Sequence, residues 1–137
     1  MFDKLFEIAK EENDQQGGDF MRVPCVNSYL DKLKNNAEFV THSIASEYAG
    51  FVAFYCNNRE SSESFISLII TSPGFRGKKV GSTLIDSVLN ITRSRGFDAC
   101  ALEVAKSNKG AIALYERKGF RIVENKDDSF IMRIDIT

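Results

Sequence analysis

Phe2, Leu5, Phe6 and Ala9 stand at i, i+3, i+4 and i+7, the spacing of one buried helical face, and the polar stretch "EENDQQGGD" is expected to end that helix. Val26, Tyr29, Leu30 and Leu33 repeat the spacing just after Pro24 and predict a second amphipathic helix. From Ala37 the period changes. "AEFVTHSIAS" and "GFVAFYCN" are rich in β-branched and aromatic residues and read as two strands of a hairpin joined through "EYAG". After the polar connector "NNRESSES", the nearly unbroken apolar run "FISLIIT" predicts a central strand covered on both faces.

Further on, Leu84, Ile85, Val88 and Leu89 return to helical spacing and Gly96 closes the helix. "FDACALEVA" reads as a buried strand, "KGAIALYERK" as a short helix stopped by Gly119, and "FRIVEN" with "SFIMRIDI" as a closing hairpin of alternating apolar and polar residues. The middle strand–helix–strand unit is expected to be parallel and the remaining pairs antiparallel. The fold class is therefore α/β, a mixed and mostly antiparallel sheet with helices on both faces. No repeat, low-complexity tract or linker interrupts the chain, so residues 1–137 are expected to form a single domain.

Composition narrows the function classes. The 137 residues can bury a real core, and 43% hydrophobic with 27% charged residues is an ordinary folded composition. A formal net charge of -1 argues against a general nucleic-acid binder. No apolar segment is long enough to span a bilayer, and charges interrupt "MFDKLFEIAK", so neither a membrane role nor a secretory signal is expected. Cys25, Cys56 and Cys100 are far apart with no CxxC pair and read as reduced thiols of a cytoplasmic protein. His42 is the single histidine, which leaves a histidine-based metal site or a Ser-His-Asp triad little to work with. No metal is expected.

The chemistry concentrates in "SPGFRGKKVGSTL", which holds three glycines and three cations between an apolar strand and a helix beginning near Gly81. A helix start points free N–H groups and the positive end of its dipole at the loop before it, and anions are the natural guests. Arg76, Lys78 and Lys79 would add side-chain charge. Taken alone, the stretch reads equally as a turn with solvated cations. "GKKVGST" has the wrong spacing for a GxxxxGK[ST] loop, and "GFRGKKVG" lacks the GxG of a dinucleotide fingerprint, so both nucleotide readings fail. In "ACALEVA", Ala99, Ala101, Glu103 and Ala105 share one strand face. Glu103 reads there either as a solvated or salt-bridged strand-end carboxylate or as a general base.

The loop resembles the acyl-CoA loop Q/R-x-x-G-x-G/A of the GNAT superfamily of N-acyltransferases, with Arg76 on its first position, Gly81 on its last and Lys79 where the middle glycine is usual. "NKGAIALYERKGF" resembles the family's N-x-x-A-x-x-L-Y-x-x-x-G-F pattern at every fixed position, through Asn108, Ala111, Leu114, Tyr115, Gly119 and Phe120. The resemblance covers about Gly50 to Phe130, and a family-type first strand is expected to be short or absent.

The resemblance implies acetyl transfer from acetyl-CoA to a primary amine by direct transfer in a ternary complex, in a monomer or homodimer. It places the pyrophosphate on the backbone of Arg76, Gly77, Lys78, Lys79, Val80, Gly81 and Ser82. Ile69, Ile70 and Thr71 would pair with the pantetheine, one amide there, that of Thr71, polarising the thioester carbonyl. Asn108 and Ala111 would contact the pantetheine, and Tyr115 would be the general acid. Singly, Asn108 is equally a helix cap and Tyr115 a core aromatic. A catalytically weak acyl-CoA-binding or regulatory module is the competing implication, resting on Lys79. The amine acceptor is left open among amino sugars, polyamines, antibiotics and peptide N-termini.

Overall fold

The computed structural model describes residues 2–15, 21 and 23–136. Its elements run α1 (Phe2–Gln15), α2 (Val26–Asn36), β1 (Glu38–Ile44), β2 (Glu47–Tyr55), β3 (Glu63–Thr71), a short 3-10 turn (Pro73–Phe75), α3 (Val80–Ser94), β4 (Ala99–Ala105), α4 (Lys109–Lys118), β5 (Arg121–Asn125) and β6 (Ser129–Asp135). The strands form one sheet in the order β1-β2-β3-β4-β6-β5. Only β3 and β4, which flank α3, pair in parallel; the other four pairs are antiparallel. The α/β architecture is thus the expected one.

Two boundaries differ from the sequence reading. The first helix does not stop at "EENDQ" but runs through it to Gln15, because Leu5 and Ala9 anchor it and Asn13 stays buried, its Oδ1 accepting from the Met21 amide at 2.9 Å. The rest of that polar stretch, residues 16–20, lies outside the described residues. "EYAG" is not the hairpin turn. It belongs to β2, and the reversal falls on Ala45 and Ser46, both at positive φ (53° and 68°), the backbone twist that two-residue hairpins favour. Among the described residues the sheet begins at Glu38.

Period-two alternation divides the core between the two faces. Phe51 and Ala53 of β2 point at α1 and α2, meeting Leu5, Ala9, Leu30 and Leu33. Val52 and Phe54 point the other way, into a cluster with Val80, Leu84, Ile85 and Val88 of α3, Leu102 of β4, Tyr115 of α4 and Met132 of β6. The apolar stripe of α3 lies on this second face, as its spacing predicts, and Gly96 turns out of the helix at φ +76°. β5 departs from the expected alternation: all five residues are exposed, Ile122 and Val123 included. No helix among the described residues is long and apolar enough to cross a membrane.

Gly50 lets β2, β3 and α3 close up. A Cβ there would stand 2.3 Å from the Ile70 carbonyl oxygen and 2.8 Å from Val80 Cγ1. Gly50→Ala is expected to destabilise by about 1–3 kcal/mol, the usual range for overpacking. Gly74→Ala, where a Cβ would meet nothing within 4 Å, should leave the thermal midpoint almost unchanged. Equal midpoints for the two variants in thermal unfolding would refute the close approach.

Candidate active site

The site is built around a break in the sheet. β2 pairs Ala53 with Leu68 and Phe54 with Ile66, so Ser67 is an extra residue in β3. Such a bulge bends its strand and resets which side chains face which way. Before it Ile66 packs on the α3 face; after it Leu68 and Ile70 pack on the α1–α2 face. The parallel ladder to β4 accordingly spans only Glu63 to Ile66 against Ala99 to Leu102. Beyond it β4 stays with β6 as far as Ala105, and β3 stays with β2 as far as Thr71. The facing edges of the two strands are left without ladder partners.

A cleft of about 190 Å³ fills this gap on the α3–α4 side. Ile69, Thr71 and Gly81 line one end, Glu103 and Ala105 the other strand, and Asn108, Ala111, Leu114 and Tyr115 the α4 wall. A second cavity of about 320 Å³ opens toward the α1–α2 side, lined by Met21, Val23, Tyr29 and Phe65. Ile66, Ser67, Leu68, Glu103 and Ala105 line both, so the two meet through the opened sheet. Tyr29 of α2 holds the bulge: its hydroxyl donates to the Ser67 carbonyl at 3.0 Å and lies 2.7 Å from Ser67 Oγ.

At the cleft's Thr71 end begins α3. No side chain caps it, and among the described residues the amides of Val80, Gly81 and Ser82 donate to no backbone or side-chain acceptor; the first α3 amide that does is Thr83, to the Lys79 carbonyl at 3.1 Å. A Cβ on Gly81 would stand 3.2 Å from Leu114 Cδ2, so the glycine keeps α3 close to α4. Lys79 is the N-cap and adopts φ 60°, ψ 28°, a left-handed conformation in which glycine carries no strain. Gly77 also has positive φ, +82°. The loop therefore keeps a glycine-type backbone at Lys79 despite the side chain. Arg76 is placed differently from the reading that aims it at an anion: its guanidinium is ion-paired with Glu12 of α1. The arginine side of the pair is half-open to solvent, whereas the Glu12 side chain is mostly buried.

On α4, Asn108 is the N-cap, its Oδ1 accepting from the Ala111 amide at 3.2 Å. Gly119 ends the helix at φ +106°. Tyr115 is 6% exposed and its ring packs on Phe120 at 5.9 Å. Burial pushes the phenol above its ordinary range, so it stays protonated, a hydrogen-bond donor, through neutral and mildly alkaline pH. Glu103 is more open. Ser129 Oγ donates to its Oε2 at 2.6 Å and the Lys126 ammonium lies 3.8 Å away. Both the strand-end ion pair and a carboxylate at the junction of two cavities are therefore true of it.

Of the residues singled out from sequence, Ile69, Thr71, Gly81, Glu103, Asn108, Ala111 and Tyr115 come together on one cleft. Ile70 does not: its side chain is buried against α1 and α2. Val80 packs in the core, so only its backbone faces the loop. Arg76, Gly77, Lys78, Lys79 and Ser82 lie along the loop and the first turn of α3 rather than among the cleft's lining residues. Sequence reasoning missed Ser67, Tyr29 and Ser129. Ser67 had a signal, the lone polar residue inside "FISLIIT".

The match to the acetyltransferase (GNAT) family extends over residues 2–120, most of the chain. The chain belongs to the acetyltransferase (GNAT) family. An uncharacterized N-acetyltransferase of Methanocaldococcus jannaschii is 36% identical over 98 residues, covering 67% of this chain and 42% of that protein. The first curated relatives are thus more than twice as long as the region they share with it. A Bacillus subtilis protein named as a putative ribosomal protein bS18-alanine N-acetyltransferase is 28% identical over 119 residues, covering 80% of this chain and 78% of that one. The PaiA N-acetyltransferase of Thermoplasma acidophilum, solved in complex with coenzyme A, superposes with a TM-score of 0.79 at 20% identity, over 98% of this chain and 92% of that one. The structural likeness establishes the GNAT fold. The family match also reaches the N-terminal helices, further than the two motifs alone indicate.

Lys79 makes a test of the loop backbone. Replacing a residue held at positive φ with glycine removes a strain of about 1 kcal/mol, partly offset by the greater freedom of the unfolded chain. Lys79→Gly is expected to raise the thermal midpoint slightly and Lys79→Val, β-branched, to lower it by several degrees. A loss of stability in the glycine variant would contradict the observed backbone.

Proposed function

We propose that this GNAT protein transfers an acetyl group from acetyl-CoA to a primary amine, with both substrates bound together. The observation that carries the reading is the single opening between β3 and β4, entered by one cavity from each face and bordered by both Glu103 and Tyr115. The α3–α4 cleft suits the pantetheine arm, with the unpartnered edge of β3 offering backbone groups to its amides and Asn108 and Ala111 opposite. The free amides at the start of α3, with Lys78 and Lys79 beside them, suit the pyrophosphate. Arg76 would join them by leaving Glu12.

Bound there, acetyl-CoA supplies an activated thioester. Glu103 accepts a proton from the amine, directly or through water. A lysine-like amine of pKa ~10.4 costs roughly 4–5 kcal/mol to deprotonate at pH 7, an α-amino group of pKa about 8 only ~1 kcal/mol. The amine nitrogen bonds to the acetyl carbon and loses its second proton to water, the carbon–sulfur bond breaks with its electron pair going to sulfur, and Tyr115 donates a hydrogen bond to the departing thiolate. A phenol held this far above a thiol's usual pKa near 8.5 assists chiefly by that hydrogen bond, stabilising sulfur as charge builds. Thr71 lines the cleft alone, at its α3 end, whereas Glu103, Ser67 and Leu68 line both cavities. The carbonyl oxygen is therefore assigned to the β3 edge nearer the bulge, at Leu68 or Ile69, rather than to Thr71.

The competing reading, a weak acyl-CoA-binding module, rested on Lys79 blocking the loop. The left-handed backbone at Lys79 favours the enzyme, since the amides around it are oriented as a glycine would leave them. Thermal shift with acetyl-CoA, followed by free-thiol release over a panel of amines, separates the two. Binding without turnover would favour the module, and no binding would sink both.

Tyr115→Phe should lower kcat roughly a hundredfold while acetyl-CoA affinity changes little. Because burial raises the phenol's pKa, the wild-type rate should show no loss from phenol ionisation below about pH 10. An unaltered kcat in the variant would remove Tyr115 from this role. For Glu103→Gln the deficit should be largest at low pH and with high-pKa amines, where most of the amine is protonated. Superimposable pH–rate profiles for variant and wild type would exclude Glu103 as the base.

A further inference from the structure

Tyr29 is tied to the part of β3 that faces the gap. In an antiparallel pair, ladder bonds join every second pair of opposed residues. The Ser72 amide donates to the Ala49 carbonyl at 2.8 Å, and this contact continues the β2–β3 register one step past Gly50 and Thr71. The bonded pairs further in are therefore Phe51 with Ile70 and Ala53 with Leu68. The amides of Ile70 and Leu68 turn to β2, and those of Ile69 and Thr71 turn to the side that β4 has left. Ile69 and Thr71 line the cleft, and Ile70 does not. Thr71 stands at the α3 end, so the Ile69 amide is the gap-facing donor nearest the bulge.

Just before Ile69, the bulge peptide is held at both ends. Its N–H, that of Leu68, turns to β2, and its carbonyl, that of Ser67, points the opposite way, as a trans peptide requires. That carbonyl meets no strand, because the parallel ladder has ended at Ile66 and Leu102. Tyr29 supplies the partner, its hydroxyl donating to the carbonyl at 3.0 Å. A phenol has one proton, so with it on the carbonyl the 2.7 Å contact is a donation from Ser67 Oγ. Burial raises the phenol's pKa and keeps it a donor at neutral pH. The extra residue of a bulge is otherwise unpaired, and a peptide free to turn carries the next amide with it. We propose that Tyr29 is a positioning residue for acetyl transfer, which by holding the Ser67 carbonyl aims the Ile69 amide at the thioester oxygen. It acts through the strand and needs no contact with the acetyl group or the amine. The inference rests on the acetyltransferase reading above and names the residue that sets its carbonyl-binding donor.

The test combines thiol release from acetyl-CoA with amide NMR of the nitrogen-labelled full chain. Tyr29→Phe removes one oxygen and keeps the ring. Its kcat should fall roughly tenfold while the KM for acetyl-CoA changes by less than about threefold, because a misaimed donor weakens the transition state more than the ground state. Acetyl-CoA should move the Ile69 amide proton downfield in the wild type and clearly less in the variant, with the Thr71 amide moving equally in both. A general loosening of α2 would disturb the two amides alike. Ser67→Ala, which keeps the carbonyl, should lose less kcat than Tyr29→Phe. A folded Tyr29→Phe protein with wild-type kcat, or with Ile69 and Thr71 equally affected, overturns the inference and leaves the acetyltransferase reading standing. An equal loss in Ser67→Ala does the same. So does a wild-type Ile69 amide that acetyl-CoA leaves in place, a result that needs no variant to fold. Acetyl-CoA binding by the wild type without thiol release on any amine overturns both.

Discussion

One extra residue in β3 organises the rest of the site. In an uninterrupted parallel pair, each strand satisfies the other's backbone along its whole length and no small molecule enters. Ser67 ends that arrangement: β3 and β4 part company after Ile66 and Leu102, each kept in place by its antiparallel neighbour on the outer side. The bulge is itself held, because Tyr29 reaches from α2 to the Ser67 carbonyl. The helices on either face then become the two walls of one opening, and the loop before α3 and the carboxylate of Glu103 acquire a common space.

Most of the fold was legible because its elements are strongly periodic. Leu84, Ile85, Val88 and Leu89 mark α3, and the alternation of Phe51 to Phe54 assigns β2 to two separate cores. What failed was local. "EYAG" looks like a turn because glycine and alanine are weak strand formers, yet Gly50 is in a strand because no larger residue fits beside Ile70. The α4 motif carries Asn108, Ala111 and Tyr115, which share one cleft, but the bulge was invisible to a pattern that counts apolar residues, since Ser67 only shifts the phase. Tyr29 could not have been found, as its partner is 38 residues away.

The phosphate-type loop shows how a motif can change residues and keep its geometry. Lys79 occupies a glycine's conformation, and the strain falls on the folded state rather than on the orientation of the neighbouring amides. Arg76 presents the opposite case, a residue at the expected position whose charge is engaged elsewhere. Its partner Glu12 belongs to α1, so the loop and the N-terminal helix are electrically joined across 64 residues of sequence. The arginine end of that link is half in water, and the carboxylate end is mostly buried.

The two cavities sharing a wall have a kinetic consequence. They lie toward opposite faces of the sheet, and among the described residues Ile66, Ser67, Leu68, Glu103 and Ala105 form their common wall. A molecule lodged in one does not obstruct the mouth of the other. On the two-substrate reading proposed above, arrival and departure on the two sides would then be separate traffic, with neither occupant having to leave before the other.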